Sequence, residues 1–86
     1  MPKKPIRIRF RKLGKEKAYG LAHVSARLVE LDPNQRGFDL LDSAIHEIMH
    51  IQIPDLSEEA VTNNATEMAD LLWKLGYRMT DNYRKK

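Results

Sequence analysis

Two histidines four residues apart, with a glutamate between them, stand in the segment His46-Glu47-Ile48-Met49-His50. On a helix that spacing puts both imidazoles on one face, a single turn apart, so both can reach one metal ion. The glutamate then lies beside the position that a metal-held water would occupy, where it can take a proton from that water. The pattern therefore names a zinc site, with His46 and His50 as ligands and Glu47 as general base. The chain has no cysteine, which excludes disulfides and thiolate coordination. Histidine and carboxylate ligands remain, and these are the donors of catalytic zinc rather than of structural zinc.

Catalytic zinc takes three protein ligands and leaves one position open, so a third side chain must come from elsewhere. The one further histidine, His23, has no metal-ligand spacing to the pair, and a surface or substrate-side role suits it better. Glu58 and Glu59 are better placed, because the turn from Ile51 to Ser57 brings the chain back toward His50. Both are candidates from their position.

The elements that must hold these residues are legible from periodicity. Leu40, Leu41, Ala44, Ile45, Ile48 and Met49 form an apolar stripe at helical spacing, predicting a helix from about Leu40 to Gln52 with Asp39 as N-cap. Pro54 stops it. A second helix is expected from about Glu58 to Leu75, capped by Ser57 and ended by Gly76. Its apolar face is read as Val61, Ala65, Met68, Leu72 and Leu75. Trp73, Leu72, Leu75 and Tyr77 are expected in the core, with Met49 and Met68 as gap-fillers. Upstream, Ile6, Ile8 and Phe10 alternate with Arg7, Arg9 and Arg11, the period of a half-buried strand. Further strands are expected within residues 18–24, around Gly20, and 27–32, with a turn at 13–17. The reading is a single α+β domain over 1–86: about three N-terminal strands, the H-E-x-x-H helix, and a packed C-terminal helix. Residues 1–5 and 80–86 read as flexible basic tails.

With these elements in place, the chain resembles the zincin metallopeptidases, in their gluzincin branch. H-E-x-x-H followed by a glutamate near the start of the next helix is the gluzincin order of ligands. Glu58-Glu59-Ala60-Val61-Thr62-Asn63 looks like the family's second motif, with Glu59 at the ligand position and Ala60 at the small residue that lets the helices approach. Asn63 stands where the family has an aspartate that orients a ligand imidazole. The stretch Leu40 to Glu47 is similar to small zincin-like proteins, some from phages, that have been described as minimal gluzincins. The resemblance covers roughly residues 27–76 and implies a zincin-like core: a short mixed or antiparallel sheet, an active-site helix and a glutamate helix. It implies zinc held by His46, His50 and Glu59, and hydrolysis of a peptide or protein substrate with Glu47 as base. Helical phase instead sets Glu58 nearer the apolar face. In the first turn of a helix, however, a side chain can point along the axis, so the motif keeps Glu59 as the preferred third ligand and Glu58 as the alternative. In zincins an edge strand pairs with the substrate, a place that residues 22–31 could fill. Tyr19, His23, Tyr77 and Tyr83 are the candidates for an oxyanion donor. Asp42 and Asp70 are candidates to hydrogen-bond a ligand imidazole.

Charge is segregated beneath a net +3. Eight of fifteen Lys and Arg residues fall in the first seventeen positions, and Arg84, Lys85 and Lys86 make a second basic end. Between Glu30 and Asp70 ten acidic residues face one base, Arg36. This supports an alternative of another class, a non-catalytic zinc-stabilised module that binds nucleic acid or another polyanion through its basic arm. The solvated face of an amphipathic strand explains the same arginines more simply. No apolar run approaches the roughly 20 residues of a membrane span, and the basic start lacks the apolar stretch of a signal peptide. A cytoplasmic protein is the expectation. Oligomeric state is open.

Overall fold

The computed structural model describes residues 4–80. Tyr83, the basic end at 84–86 and residues 1–3 lie outside the described residues. Three strands, β1 (Arg7–Phe10), β2 (Gly20–His23) and β3 (Leu28–Leu31), precede two helices, α1 (Phe38–Gln52) and α2 (Glu58–Lys74). The order in the sheet is β1-β3-β2, with β1 parallel and β2 antiparallel to β3. The last strand is thus the inner one, and β2 lies at an edge. Helix α1 packs on β2 and β3, and α2 packs on α1. The α+β architecture expected from the sequence is the one observed.

Alternation in β1 sends Ile8 and Phe10 inward and leaves Arg7 and Arg9 exposed on the other side. Val29, Leu31, Leu40 and Ile51 form the buried cluster between sheet and α1, flanked by Ile6, Ile8, Phe10, Ala22, Ala44 and Ile48. A second cluster of Met49, Val61 and Ala65, with Ile45 and Leu56 against it, joins the helices. Leu13, in the expected turn, is wholly buried. Its N–H donates to Asp32 Oδ2 at 3.0 Å, and the Asn34 N–H donates to Asp32 Oδ1 at 2.8 Å. These two bonds, Asn34 first, hold the Asp32 carboxyl below its ordinary range and fasten the loop ahead of α1 to the turn after β1.

Several expected details differ. Helix α1 begins at Phe38, with Gly37 as N-cap at φ 56° and no side-chain cap. Asp39 is instead in the first turn, where its charge complements the helix dipole. Gly37 is needed there twice over, because its backbone is left-handed and a Cβ would meet Trp73 Cη2 at 3.2 Å. Ser57 caps α2 as expected, its Oγ accepting from the Ala60 N–H at 3.1 Å, and Gly76 follows the helix at φ 98°.

The buried face of α2 is Val61, Ala65 and Ala69, rotated from the expected one, and Met68, Leu75 and Tyr77 are exposed. The reason is steric: two alanines in register bring α2 close to α1, and the longer side chains turn outward. Trp73 remains half-buried, edge-on to Phe38 with centroids 6.1 Å apart and under the Arg78 guanidinium. Among the described residues no helix is long and apolar enough to cross a membrane.

Candidate metal centre

Helix α1 presents His46 and His50 from successive turns, their ring centroids 4.9 Å apart and their Nε2 atoms 3.2 Å apart. The rigidity comes from the other face of the same helix, where Ile48 and Ile51 are held against the sheet and Met49 against α2. Between the helices, residues 53–57 turn the chain, with the Leu56 N–H donating to the Ile53 carbonyl at 3.1 Å. The turn delivers the first residue of α2 to the two imidazoles. Glu58 Oε1 lies 2.6 Å from His46 Nε2, and Oε2 lies 3.0 Å from His50 Nε2.

These three residues form the group whose ligand atoms all lie within 4.8 Å of one another. The two histidines are half-buried and Glu58 is exposed, so the cluster opens to solvent on one side. Glu59, the preferred third ligand on the motif resemblance, is exposed and outside this cluster. Helical phase explains the difference: Glu58 precedes Val61, Ala65 and Ala69 by three, seven and eleven residues, on the face that packs against α1.

Glu47 is beside the cluster and half-buried. Its carboxyl titrates above the ordinary glutamate range because burial disfavours the charge, and Glu58 adds to that rise while His46 and His50 oppose it. The wall against it is β2. A Cβ at Gly20 would come within 2.8 Å of Glu47 Cγ and 3.2 Å of Leu31 Cδ2. Gly20 is therefore what lets the strand lie directly over Glu47. The strand around Gly20 is expected from the sequence, whereas this contact joins residues far apart in the chain; a glycine inside a strand pattern is its signal.

Gln35 braces the same strand, its Nε2 donating to the Tyr19 carbonyl at 2.7 Å while its Oε1 accepts from Ser43 Oγ at 2.7 Å. Strand β3 is inner and has both edges engaged, so of the expected 22–31 region only the β2 portion lies at an edge.

The other candidates are elsewhere. His23 points to the opposite side of the sheet, where its Nε2 is 2.9 Å from Glu30 Oε1. Asp42 accepts from Thr66 Oγ1 at 3.2 Å, and Asp70 pairs with Lys74 at 2.9 Å, so both carboxylates are engaged away from the imidazoles. Asn63 is exposed on α2. Tyr77 lies beside Arg78 on a cavity bounded by Trp73, Phe10 and Leu40, away from the histidines. Tyr19, next to Gly20, is the oxyanion candidate that adjoins the strand over Glu47.

No protein-family model, curated protein or solved structure matches the chain.

Proposed function

We propose that this protein is a zinc-dependent peptidase of gluzincin type, with His46, His50 and Glu58 as zinc ligands and Glu47 as general base. The observation that carries the proposal is the meeting of two imidazole nitrogens and one carboxylate at a single point, with a second, half-buried carboxyl next to it. The donor set fits the metal. Zinc bonds of about 2.0–2.1 Å in tetrahedral geometry set ligand atoms roughly 3.3 Å apart. The approaches here, 2.6 Å from Glu58 Oε1 to His46, 3.0 Å from Oε2 to His50 and 3.2 Å between the two imidazoles, are of that order. Three protein donors leave one position free, the arrangement of a site that works rather than one that only braces the fold.

When bound, zinc supplies a Lewis acid for the carbonyl and brings the pKa of water toward neutrality. The residues of the chain do the rest. Glu47 accepts a proton as water adds to the peptide carbonyl carbon, and returns it to the nitrogen as the C–N bond breaks. A purely structural zinc site has no use for a carboxylate in that place. The outer edge of β2, lying above Glu47 across Gly20, is suited to an extended peptide held by backbone hydrogen bonds.

The test pairs zinc content with turnover of a fluorogenic peptide library. Wild type is expected to hold one zinc per chain and to cleave. Glu47→Gln should keep the metal while losing about a hundredfold or more in rate. Glu58→Ala should lower zinc affinity by more than about a hundredfold, beyond the usual loss from outer partners of a ligand, and Glu59→Ala should leave it unchanged. Zinc retained in Glu58→Ala would discard this ligand set, and full turnover by Glu47→Gln would discard the mechanism.

A further inference from the structure

The structure separates charge by layer. From Lys4 to Leu31, the sheet and its turns, eight bases stand against two acids; from Asp32 to Thr80, the helical part, three bases stand against nine acids. The sheet's outer face, turned away from α1, carries Arg7 and Arg9 from β1 and Arg11 just after it, with His23 from β2 and Glu30 from β3. Glu30 is 2% exposed, and it organises this face. Its Oε2 accepts from Arg9 Nε and Nη2 at 3.1 and 2.8 Å and from Arg11 Nε at 2.9 Å, and its Oε1 accepts from Arg11 Nη2 at 3.1 Å and faces His23. One buried carboxylate thus fixes two guanidinium groups side by side on an open surface. Arg7 extends the row one step further, exposed and without an ion pair among the described residues. Lys12, Lys15 and Lys17 add cations in the turn that follows β1, with Glu16 the single acid among them.

We infer that this face binds a single-stranded nucleic acid through its phosphates, independently of the metal centre. Alternate residues of a strand advance roughly 6.7 Å, comparable to the step between successive phosphates of an extended nucleic-acid strand, so Arg7, Arg9 and Arg11 can meet a run of them. The row is pre-ordered by Glu30, so two long side chains are already immobilised before binding. Trp73 and Phe10 lie away from this face, and the arginine row makes the binding chiefly electrostatic and tolerant of sequence. The competing occupant of a basic face on so polar a molecule is the acidic helical layer of a second copy. Regular strand spacing favours a linear polyanion over scattered carboxylates.

The test is fluorescence anisotropy of the full chain with a labelled oligothymidine of about 20 nucleotides, longer than the roughly 4–16 nucleotides of a typical single-strand site. Four phosphate contacts, from Arg7, Arg9, Arg11 and Lys15, give a salt slope of about −2.8, an affinity loss of roughly fiftyfold between about 50 and 200 mM salt. Arg7→Glu and Lys15→Glu should each weaken binding and reduce the slope by about one, while Lys74→Glu on α2 should not. Chelation of metal should change nothing, so the result stands apart from the peptidase reading. Lys15 is in an exposed turn, so its variant reports on binding even if Arg7→Glu folds poorly. Absence of binding near 50 mM salt, or equal affinity for wild type and both variants, would overturn the inference. So would salt-sensitive doubling of mass in sedimentation without oligonucleotide binding.

Discussion

Glu30 shows what a single buried charge demands of its surroundings. Transfer of a carboxylate from water is costly unless it is paired and hydrogen-bonded, and here Arg11, His23 and Arg9 together outweigh the burial. The Glu30 carboxyl is held far below its ordinary value, Arg11 being the leading cause. The direction fixes the pH dependence. A group with a depressed folded pKa contributes stability above its unfolded pKa and loses it as pH falls through the folded one. Glu30→Gln should therefore cost about 1–2 kcal/mol at neutral pH, allowing for the exposure of both arginines. The gap in Tm between variant and wild type should be widest near pH 7 and close as pH falls below the ordinary glutamate value of 4.5. Thermal melts from neutral to strongly acidic pH measure it; a gap that stays constant would show that the carboxylate's charge is not what stabilises the sheet.

At the scale of elements, the site depends on two close approaches that small residues permit. One is α1 against α2, through Ala65 and Ala69, both wholly buried; the other is β2 against α1, through Gly20. Replacing Gly20 by alanine leaves the backbone unstrained but sets a Cβ within 2.8 Å of Glu47 Cγ, and Glu47 has to swing aside. Since a misplacement of about 1 Å in a catalytic group can cost on the order of a hundredfold in rate, Gly20→Ala should lose turnover on that scale while zinc affinity stays within a few fold. Zinc lost together with turnover would mean that β2 supports the ligands rather than the base. The same packing explains what the sequence made legible. Strand alternation, the two caps at Ser57 and Gly76, and the one-turn spacing of His46 and His50 are local, and each could be read from neighbours in the chain. The rotation of α2 could not, because it follows from which side chains let two helices meet, and Ala69 carries little weight in a hydrophobicity pattern beside Met68 or Leu72. Even with the face so read, phase sets Glu58 nearer the packed side, and it is the motif resemblance that puts Glu59 first. Leu13 was missed for a related reason: a leucine in a turn has no period, and its burial depends on Asp32, nineteen residues away.

For the molecule as a whole, the question is how so small a core holds a site together. Nine apolar residues are buried among those described, two of them alanine, and domains of this size are marginal when a single core is their only support. The His46, His50 and Glu58 cluster joins α1 to the first turn of α2, and α2 packs on α1 rather than on the sheet. An ion held there by the folded chain and not by the unfolded one stabilises by mass action, about 4 kcal/mol at a thousandfold excess over Kd. In a domain of 60–100 residues about 1 kcal/mol moves Tm by about 4–8 °C, so saturating zinc should raise Tm by roughly 15–30 °C and a chelator should reverse it. The rise should vanish in Glu58→Ala and persist in Glu47→Gln, which removes the base and keeps the ligands. Hydrogen exchange adds the spatial check: protection gained with zinc should concentrate in the C-terminal half of α1 and the start of α2, where the ligands clamp the helices. A gain spread evenly over β1 and β3, or no change in Tm, would place the metal elsewhere or nowhere, and the three side chains would then be an ordinary hydrogen-bonded cluster at the helix junction.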